Sequence, residues 1–311
     1  MTGAGLVIVA GNPYSGAAAN RRRVDVLAGA LAAAGLQSRL VWEPRERAAL
    51  LGDPGLLRDC RAVVAAGGDG TVAQVVNELA ASVPLGVLPL GNENLFARAL
   101  GFSGDPAALA AAIVGGASRR LDLGSARASN APAPGPRRFT LMVSVGFDAD
   151  VVHRVARWRA TGVTLRRVRR RSWVAPVARA LHAYRHPPLA LEVAGARVAG
   201  CHCVVANLPD YALGVRLAPD ARGNDGRLDW VVLEPGGTGA LARYGWAAWR
   251  GRHLARDDVR GGRAQRLRID AVAPMPVQID GEAWGVTPVD IDVLPGALAV
   301  VSSGPRSRRG Q

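Results

Sequence analysis

Ala62-Val63-Val64-Ala65-Ala66-Gly67-Gly68-Asp69-Gly70-Thr71-Val72 is the stretch from which the fold is read. An apolar run of strand length enters a glycine-dense turn and leaves it as a helix. Val72, Val75, Val76 and Leu79 fall on one stripe of that helix, and Thr71 is expected as its cap. Glycine lets a backbone come close to a ligand and adopt positive φ. The free amides and positive dipole end of a helix N-terminus attract phosphate oxygens. Asp69 is at odds with pure anion binding, so it is read as positioning a metal or hydroxyl, or as bracing the loop. The plainer alternative is an ordinary strand-turn-helix with a capping Asp. Three glycines in four positions weigh against it, because glycine without a task lowers stability.

The flanking sequence repeats the strand-helix alternation. Leu6–Ala10 reads as a buried strand ending in the turn Gly11-Asn12-Pro13. Val24, Leu27 and Leu31 carry helical spacing, with Gly35 as a stop. Ser38–Trp42 and Leu85–Leu90 read as further strands, and Asn94–Leu100 as a short helix. Asp105-Pro106 opens another helix, Asp as cap and Pro in the first turn. Such short units predict a doubly wound α/β domain with a parallel sheet over residues 1–127. Residues 126–138, rich in Ala, Pro and Gly, read as a loop and domain boundary. Strand composition then dominates: Phe139–Val145, Leu189–Val193, Arg197–Ala206, Arg227–Leu233, Arg266–Ala271, Val277–Asp280 and Val289–Val293. Helical stretches interrupt at roughly 150–185 and 239–253. The expectation for 137–295 is an antiparallel β-sandwich, with strand 296–303 free to return to the first domain.

The chain of 311 residues has net charge +14, and all 39 of its basic residues are arginine. A P-loop lysine is therefore excluded, and phosphate must be held by backbone amides, arginine or metal. The charge favours anionic partners: nucleic acid, an anionic membrane or phosphorylated ligands. No signal-peptide pattern or apolar run of membrane-spanning length is read, so a cytoplasmic protein is expected. Three cysteines, Cys60, Cys201 and Cys203, fit a reducing compartment. Cys201-His202-Cys203 has the look of a metal site but sits in an apolar run, so it is read as buried strand.

Several blocks resemble the diacylglycerol kinase catalytic-domain family of bacterial diacylglycerol- and sphingosine-kinase-like lipid kinases. Gly67–Thr71 looks like the nucleotide loop those enzymes share with NAD kinases. Asn12-Pro13-Tyr14-Ser15-Gly16 is similar to the family's opening signature, and Pro89–Arg98 to its third block. Asp122-Leu123-Gly124, Gly146-Phe147-Asp148-Ala149, Asn224–Asp229 and Asp280-Gly281-Glu282 follow in the family's order. The resemblance implies two domains with ATP in the cleft between them. It implies nucleotide contacts from Asn12, Ser15, Gly67, Gly68, Asp69, Gly70, Thr71 and Asn92. It implies Mg2+ near Asp225, Asp69 and Asp122, and Glu282 as general base beside Asp280, for phosphoryl transfer to a lipid hydroxyl. By itself, Asp280-Gly281-Glu282 also reads as a hairpin turn.

Three positions depart from the family pattern: Val41 and Asn92 stand where relatives commonly have Thr, and Leu95 where many have Asp. Arg154, Arg157, Arg159, Arg166, Arg167, Arg169, Arg170 and Arg171, interleaved with Trp158 and Trp173, suggest docking on an anionic bilayer at the inner face of the membrane. A solvated arginine-rich helix face is the alternative. Oligomeric state is open, with a homodimer among the options. An NAD-kinase-like enzyme and a non-catalytic nucleotide-binding regulator stay open as functions. Nucleic acid is not an expected partner, since no aromatic RNA-binding or recognition-helix signature is visible.

Overall fold

In the computed structural model, the described residues are 5–11, 18–80, 83–160, 184–211, 214–234 and 236–302. The chain divides into two units, Met1–Asp122 with Gly296–Gln311, and Leu123–Pro295.

The first unit is built in chain order from β1 (Leu6–Gly11), α1 (Ala18–Ala33), β2 (Gln37–Val41), α2 (Pro44–Leu51), α3 (Pro54–Arg58), β3 (Cys60–Gly67), α4 (Asp69–Glu78), β4 (Leu85–Pro89), α5 (Leu95–Leu100) and α6 (Pro106–Gly115). Strands β4, β3, β1 and β2 lie side by side in that order, all parallel. Their near-continuous apolar sequences follow from burial on both faces. Val7, Val9, Ala62 and Val64 pack with Val24, Leu27 and Leu31 of α1 and Leu109 and Ile113 of α6. Ile8, Val63 and Ala65 point the other way and are equally buried, and α4 packs on β3. Asp105 caps α6 through the Ala107 amide (2.9 Å) with Pro106 in the first turn.

The second unit opens within β5 (Ser118–Ser129), which runs from the first unit into it. It continues through β6 (Arg137–Phe139), β7 (Met142–Val145), α7 (Phe147–Ala160), β8 (Leu189–Val193), β9 (Ala196–Gly200), β10 (His202–Ala206), β11 (Leu228–Leu233), α8 (Thr238–Trp249), β12 (Val259–Ala264), β13 (Arg266–Ala271), β14 (Pro276–Ile279) and β15 (Glu282–Val301). One antiparallel series runs β12-β11-β10-β7-β14-β15, and a second runs β9-β8-β13-β15. The two share the 20-residue β15. They enclose a core of Val143, Val145, Leu191, Cys203, Val205, Leu267, Ile269, Val277, Ile279, Val289 and Ile291. β15 then enters the first unit, where Val300 pairs parallel with Leu85.

Several local expectations are corrected. Thr71 does not cap α4. Gly68 is the cap and Thr71 sits buried inside the first turn, because its side chain packs against the bare Gly67. Residues 126–138 are not one loop: β5 continues to Ser129, and only the turn between β5 and β6 is irregular, with Asn130 and Gly135 at positive φ. Composition marked the turn, while Gly124–Ala126 on one side of it pair with Arg137–Phe139 on the other. Phe139–Val145 and Arg197–Ala206 are each two strands. The first breaks at Thr140-Leu141, where the backbone turns its amides to Asp280. The expected helix at 150–185 begins at Phe147 and is described to Ala160; 161–183 lie outside the described residues. His202 and Cys203 are strand residues with buried side chains, and burial pushes the Cys201 thiol up to about 11.

α2 is tied to α4 by an ion pair. Arg47, 3% exposed, gives Nε and Nη2 to the two Glu78 oxygens at 2.7 Å each and Nη2 to Gln74 at 3.1 Å. Removing one partner of a buried pair leaves an uncompensated charge, which costs about 3–5 kcal/mol. Glu78→Ala is therefore expected to lower the urea midpoint strongly. Glu46→Ala, which removes the exposed partner of Arg39, should cost under about 1 kcal/mol.

Candidate functional site

The β3–α4 turn and the β4–α5 turn lie against each other in the first unit. A Cβ on Gly91 would stand 2.5 Å from the Gly68 Cα, and one on Gly68 would stand 3.2 Å from the Gly91 Cα. Side chains are absent here because two backbones touch. The Leu90 amide bonds to the Gly67 carbonyl at 2.9 Å, continuing the ladder between the strands. Asn94, at φ 49°, closes the second turn on itself: its Oδ1 accepts from the Gly91 amide (2.9 Å) and its Nδ2 donates to the Gly91 carbonyl (2.8 Å).

Asn94 is the cap residue of α5 but gives that helix no side-chain bond. Asp69 does so from the other turn. Its Oδ2 accepts from the Leu95 amide and its Oδ1 from the Phe96 amide, each at 3.0 Å. Burial pushes the Asp69 carboxyl above the usual range, and the amides of Phe96, Leu95 and Asp69 itself pull it back. The acid that looked out of place in an anion loop thus has its charge turned toward a second helix terminus. At α4 itself, Thr71 and Val72 return their amides to the Gly68 carbonyl. The helix offers no acceptor to the amides of its first turn ahead of them. Gly68, Asp69 and Gly70 are only half-buried, so this N-terminus is accessible. Backbone approach, accessible amides and the dipole end together fit a nucleotide phosphate.

The neighbouring chain holds this corner. Arg23 of α1 donates to the Pro89 carbonyl (3.1 Å) and to the Gly104 carbonyl, and Asn20 donates to the Leu90 carbonyl (3.4 Å). Neither residue stood out in the sequence. Asn92 is exposed on the β4–α5 turn. Leu95 is buried, 8% exposed, so its side chain belongs to the core and its contribution to the corner is its amide. Val41 is fully buried at the end of β2, paired with Ala10. Asn12 and Ser15 lie outside the described residues, as do Arg166, Arg167, Arg169, Arg170 and Arg171. Of the rest of that basic segment, Arg154 pairs with Asp150 on α7, and Arg157 and Arg159 lie in its last turn.

Asp122 is 4% exposed, and its Oδ1 accepts the Gly296 amide at 2.7 Å, fastening β5 to β15. Two residues on, Gly124 makes room for the Phe139 ring across the β5–β6 pair.

In the second unit, Asp280 at φ 48° is the most heavily bonded carboxylate among the described residues. Its oxygens accept from the Thr140, Leu141 and Met142 amides and the Thr140 hydroxyl at 2.8–2.9 Å. Burial raises this carboxyl, against the pull of those four donors. With its oxygens so occupied, Asp280 holds the turn and is not suited to take a proton. Glu282 is different. Its side chain is 37% exposed and meets the nearly buried Arg137, whose guanidinium lies 4.1 Å over the Trp284 ring. Behind the turn, Gln278 accepts from the Gly281 amide (2.8 Å) and donates to Ser144 (2.9 Å). Ser144 donates to Asp148, which also receives Tyr211 (2.8 Å). Arg137, Gln278, Thr140 and Tyr211 were not read from the sequence, since none lies in a recognisable block.

Asp225 makes the turn of Asn224-Asp225-Gly226, accepting the Arg227 amide at 3.1 Å, with Arg263 3.7 Å away. Among the described residues no three Asp, Glu, His or Cys side chains converge as a metal cage. Asp69 spends both oxygens, and Asp122 one, on backbone amides. Asp225, exposed at its turn, is the carboxylate of the three that suits a cation, and the set does not make a metal site of its own.

Known proteins resemble this chain in sequence and in fold. Residues 6–126 match the diacylglycerol kinase catalytic domain, and residues 141–302 match the YegS C-terminal NAD kinase β-sandwich-like domain. The chain belongs to the family of lipid kinases that join these two domains. A diacylglycerol kinase of Mycobacterium tuberculosis is 29% identical over 245 residues, covering 77% of this chain and 76% of that protein. A crystal structure of a diacylglycerol kinase from Bacillus anthracis superposes with TM-score 0.67 at 18% identity, covering 97% of this chain and 98% of that one. An NAD kinase from Archaeoglobus fulgidus, solved in complex with ATP, shares the fold at TM-score 0.55 and 13% identity over 97% of this chain and 96% of that one.

The glycine contact and the Asp69 cap can be tested apart. Gly91→Ala is expected to cost about 1–3 kcal/mol, as overpacking does. Asp69→Ala should cost about 1–2 kcal/mol for a lost cap, with Asp69→Asn between it and wild type. Urea unfolding followed by circular dichroism reads all three.

Proposed function

We propose that this protein is an ATP-dependent lipid kinase, transferring the γ-phosphate to the hydroxyl of a diacylglycerol, a sphingoid base or a related lipid. The observation that carries the reading is the accessible N-terminus of α4, bared by the Gly68–Gly91 contact and relieved of the Asp69 charge by α5. Phosphoryl transfer asks for positioning and charge neutralisation more than for covalent help. The amides of Gly68 and Gly70 supply the first, with Asn92 and the family's Asn12 and Ser15 as further nucleotide contacts. Magnesium would come with the triphosphate, since that ion is commonly held by one or two carboxylates plus substrate phosphates. Asp225 is the residue that would hold it.

Glu282 is the general base of this proposal. It is accessible and oriented by Arg137, and a carboxylate in reach of the attacking hydroxyl can take its proton as the new oxygen–phosphorus bond forms and the bond to the β–γ bridging oxygen breaks, releasing ADP. In this reading Asp280 positions that turn through the Thr140, Leu141 and Met142 amides. The lipid acceptor further implies work at a membrane surface on the cytoplasmic side, and no described helix is long and apolar enough to cross a membrane.

The test is a total-lipid extract incubated with γ-labelled ATP and magnesium. Glu282→Gln should lower lipid labelling by about 10²–10⁴-fold, the usual worth of a positioned base, with a smaller fall in thermal midpoint than Asp280→Ala, since its amide oxygen still accepts from Arg137. Asp280→Ala should lower both. Labelling of NAD and of no lipid would replace this reading by an NAD-kinase-like one.

A further inference from the structure

Helix α8 wears its large apolar side chains on the outside. Ala240, Tyr244 and Ala248, spaced by four, form its buried stripe, and Ala240 and Tyr244 pack on Val231, Leu233 and Val259. On the exposed side stand Trp246 and Trp249, 60% and 66% accessible, with ring centroids 5.3 Å apart. Leu254, in the 3-10 turn after the helix, is 41% accessible. A helix that only covered a core would carry the reverse pattern. Two neighbouring exposed tryptophans cost water contact and mark an interaction surface.

The surroundings identify the occupant. Arg243, Arg250 and Arg252 are exposed around the tryptophans, and the Arg250 guanidinium lies 4.9 Å over the Trp246 ring. The nearby Asp258 is taken up by Arg256 (2.7 and 2.8 Å), which leaves the patch basic. Indole rings between arginines match the interface of a lipid bilayer, where the ring sits at headgroup level and the cation meets lipid phosphate. A second copy of this chain fits less well. A symmetric contact would set these arginines against themselves in a protein already at net charge +14.

We infer that the outer face of α8, Trp246 and Trp249 with Arg243, Arg250 and Arg252, docks on an anionic membrane surface. It uses residues other than the arginine run at 154–171. It extends the lipid-kinase reading by naming how the protein would reach its substrate, yet membrane binding can be measured without that reading.

The experiment is co-sedimentation of the full chain with vesicles of phosphatidylglycerol and phosphatidylcholine, and with phosphatidylcholine alone, without nucleotide. Wild type should pellet with the anionic vesicles and lose affinity as salt rises. Trp246→Ala/Trp249→Ala should bind at least about tenfold more weakly, given the apolar area withdrawn from the interface. Arg243→Gln/Arg252→Gln keeps both indoles and should weaken binding by about five-fold per arginine, with a shallower salt dependence. An unchanged thermal midpoint shows that neither variant has lost its fold. Anionic-vesicle binding equal to wild type in both variants overturns the proposal. So does a wild type that ignores vesicles but forms a dimer, disrupted by the tryptophan variant, in analytical ultracentrifugation. Vesicle binding through α8 by a protein that labels no lipid leaves this inference standing and rejects the kinase reading. Lipid labelling with α8-independent binding does the opposite.

Discussion

The β3–α4 corner depends on one carboxylate. Asp69 belongs to the first turn of α4 but spends both oxygens on the first amides of α5. A buried carboxylate costs much unless it is hydrogen-bonded, so it persists only while α5 stays in place. It thereby pins the β4–α5 turn against the β3–α4 turn, where Gly68 and Gly91 have no side chains to keep the backbones apart. The same bond turns a negative charge away from the α4 terminus. An aspartate that would repel an anion at its own helix is what holds the two turns together.

The second unit uses the same device at its hairpin. Asp280 gathers three backbone amides and a hydroxyl from Thr140–Met142, and that demand breaks the run 139–145 into two strands. The adjacent Glu282 stays accessible and is oriented from the side by Arg137. Two acids two residues apart therefore have opposite tasks, set by how many donors surround each. The Gln278–Ser144–Asp148–Tyr211 chain ties the same turn to α7 and to the β10–β11 connection.

The absence of lysine shapes the surface as well. Arginine forks suit bidentate and stacked contacts, and both occur: Arg47 on Glu78, Arg137 over Trp284, Arg250 over Trp246. Where arginine meets a helix carboxylate, as Arg47 meets Glu78, the pair serves structure. Where it meets an exposed indole, as on α8, the cation remains available to an outside partner.

Periodicity and turn chemistry in the chain were enough to place β1, β3, β8, β13 and α4 to within about two residues, the usual margin for element ends. Burial on both faces writes an unbroken apolar run and glycine interrupts it, so these elements carry their own local signal. The order of sequence blocks was likewise enough to point to the kinase family. What each acid in those blocks does was not legible. Asp69, Asp122, Asp225, Asp280 and Glu282 look alike in a one-dimensional string, and Thr71 looked like a cap. Only packing decides which carboxylate faces backbone amides and which faces water, because its partners lie 26 residues away for Asp69 and about 140 for Asp280. The outward tryptophans of α8 were hidden for the same reason. A helical stripe announces that one face is apolar, and only the tertiary structure says which face the core has taken.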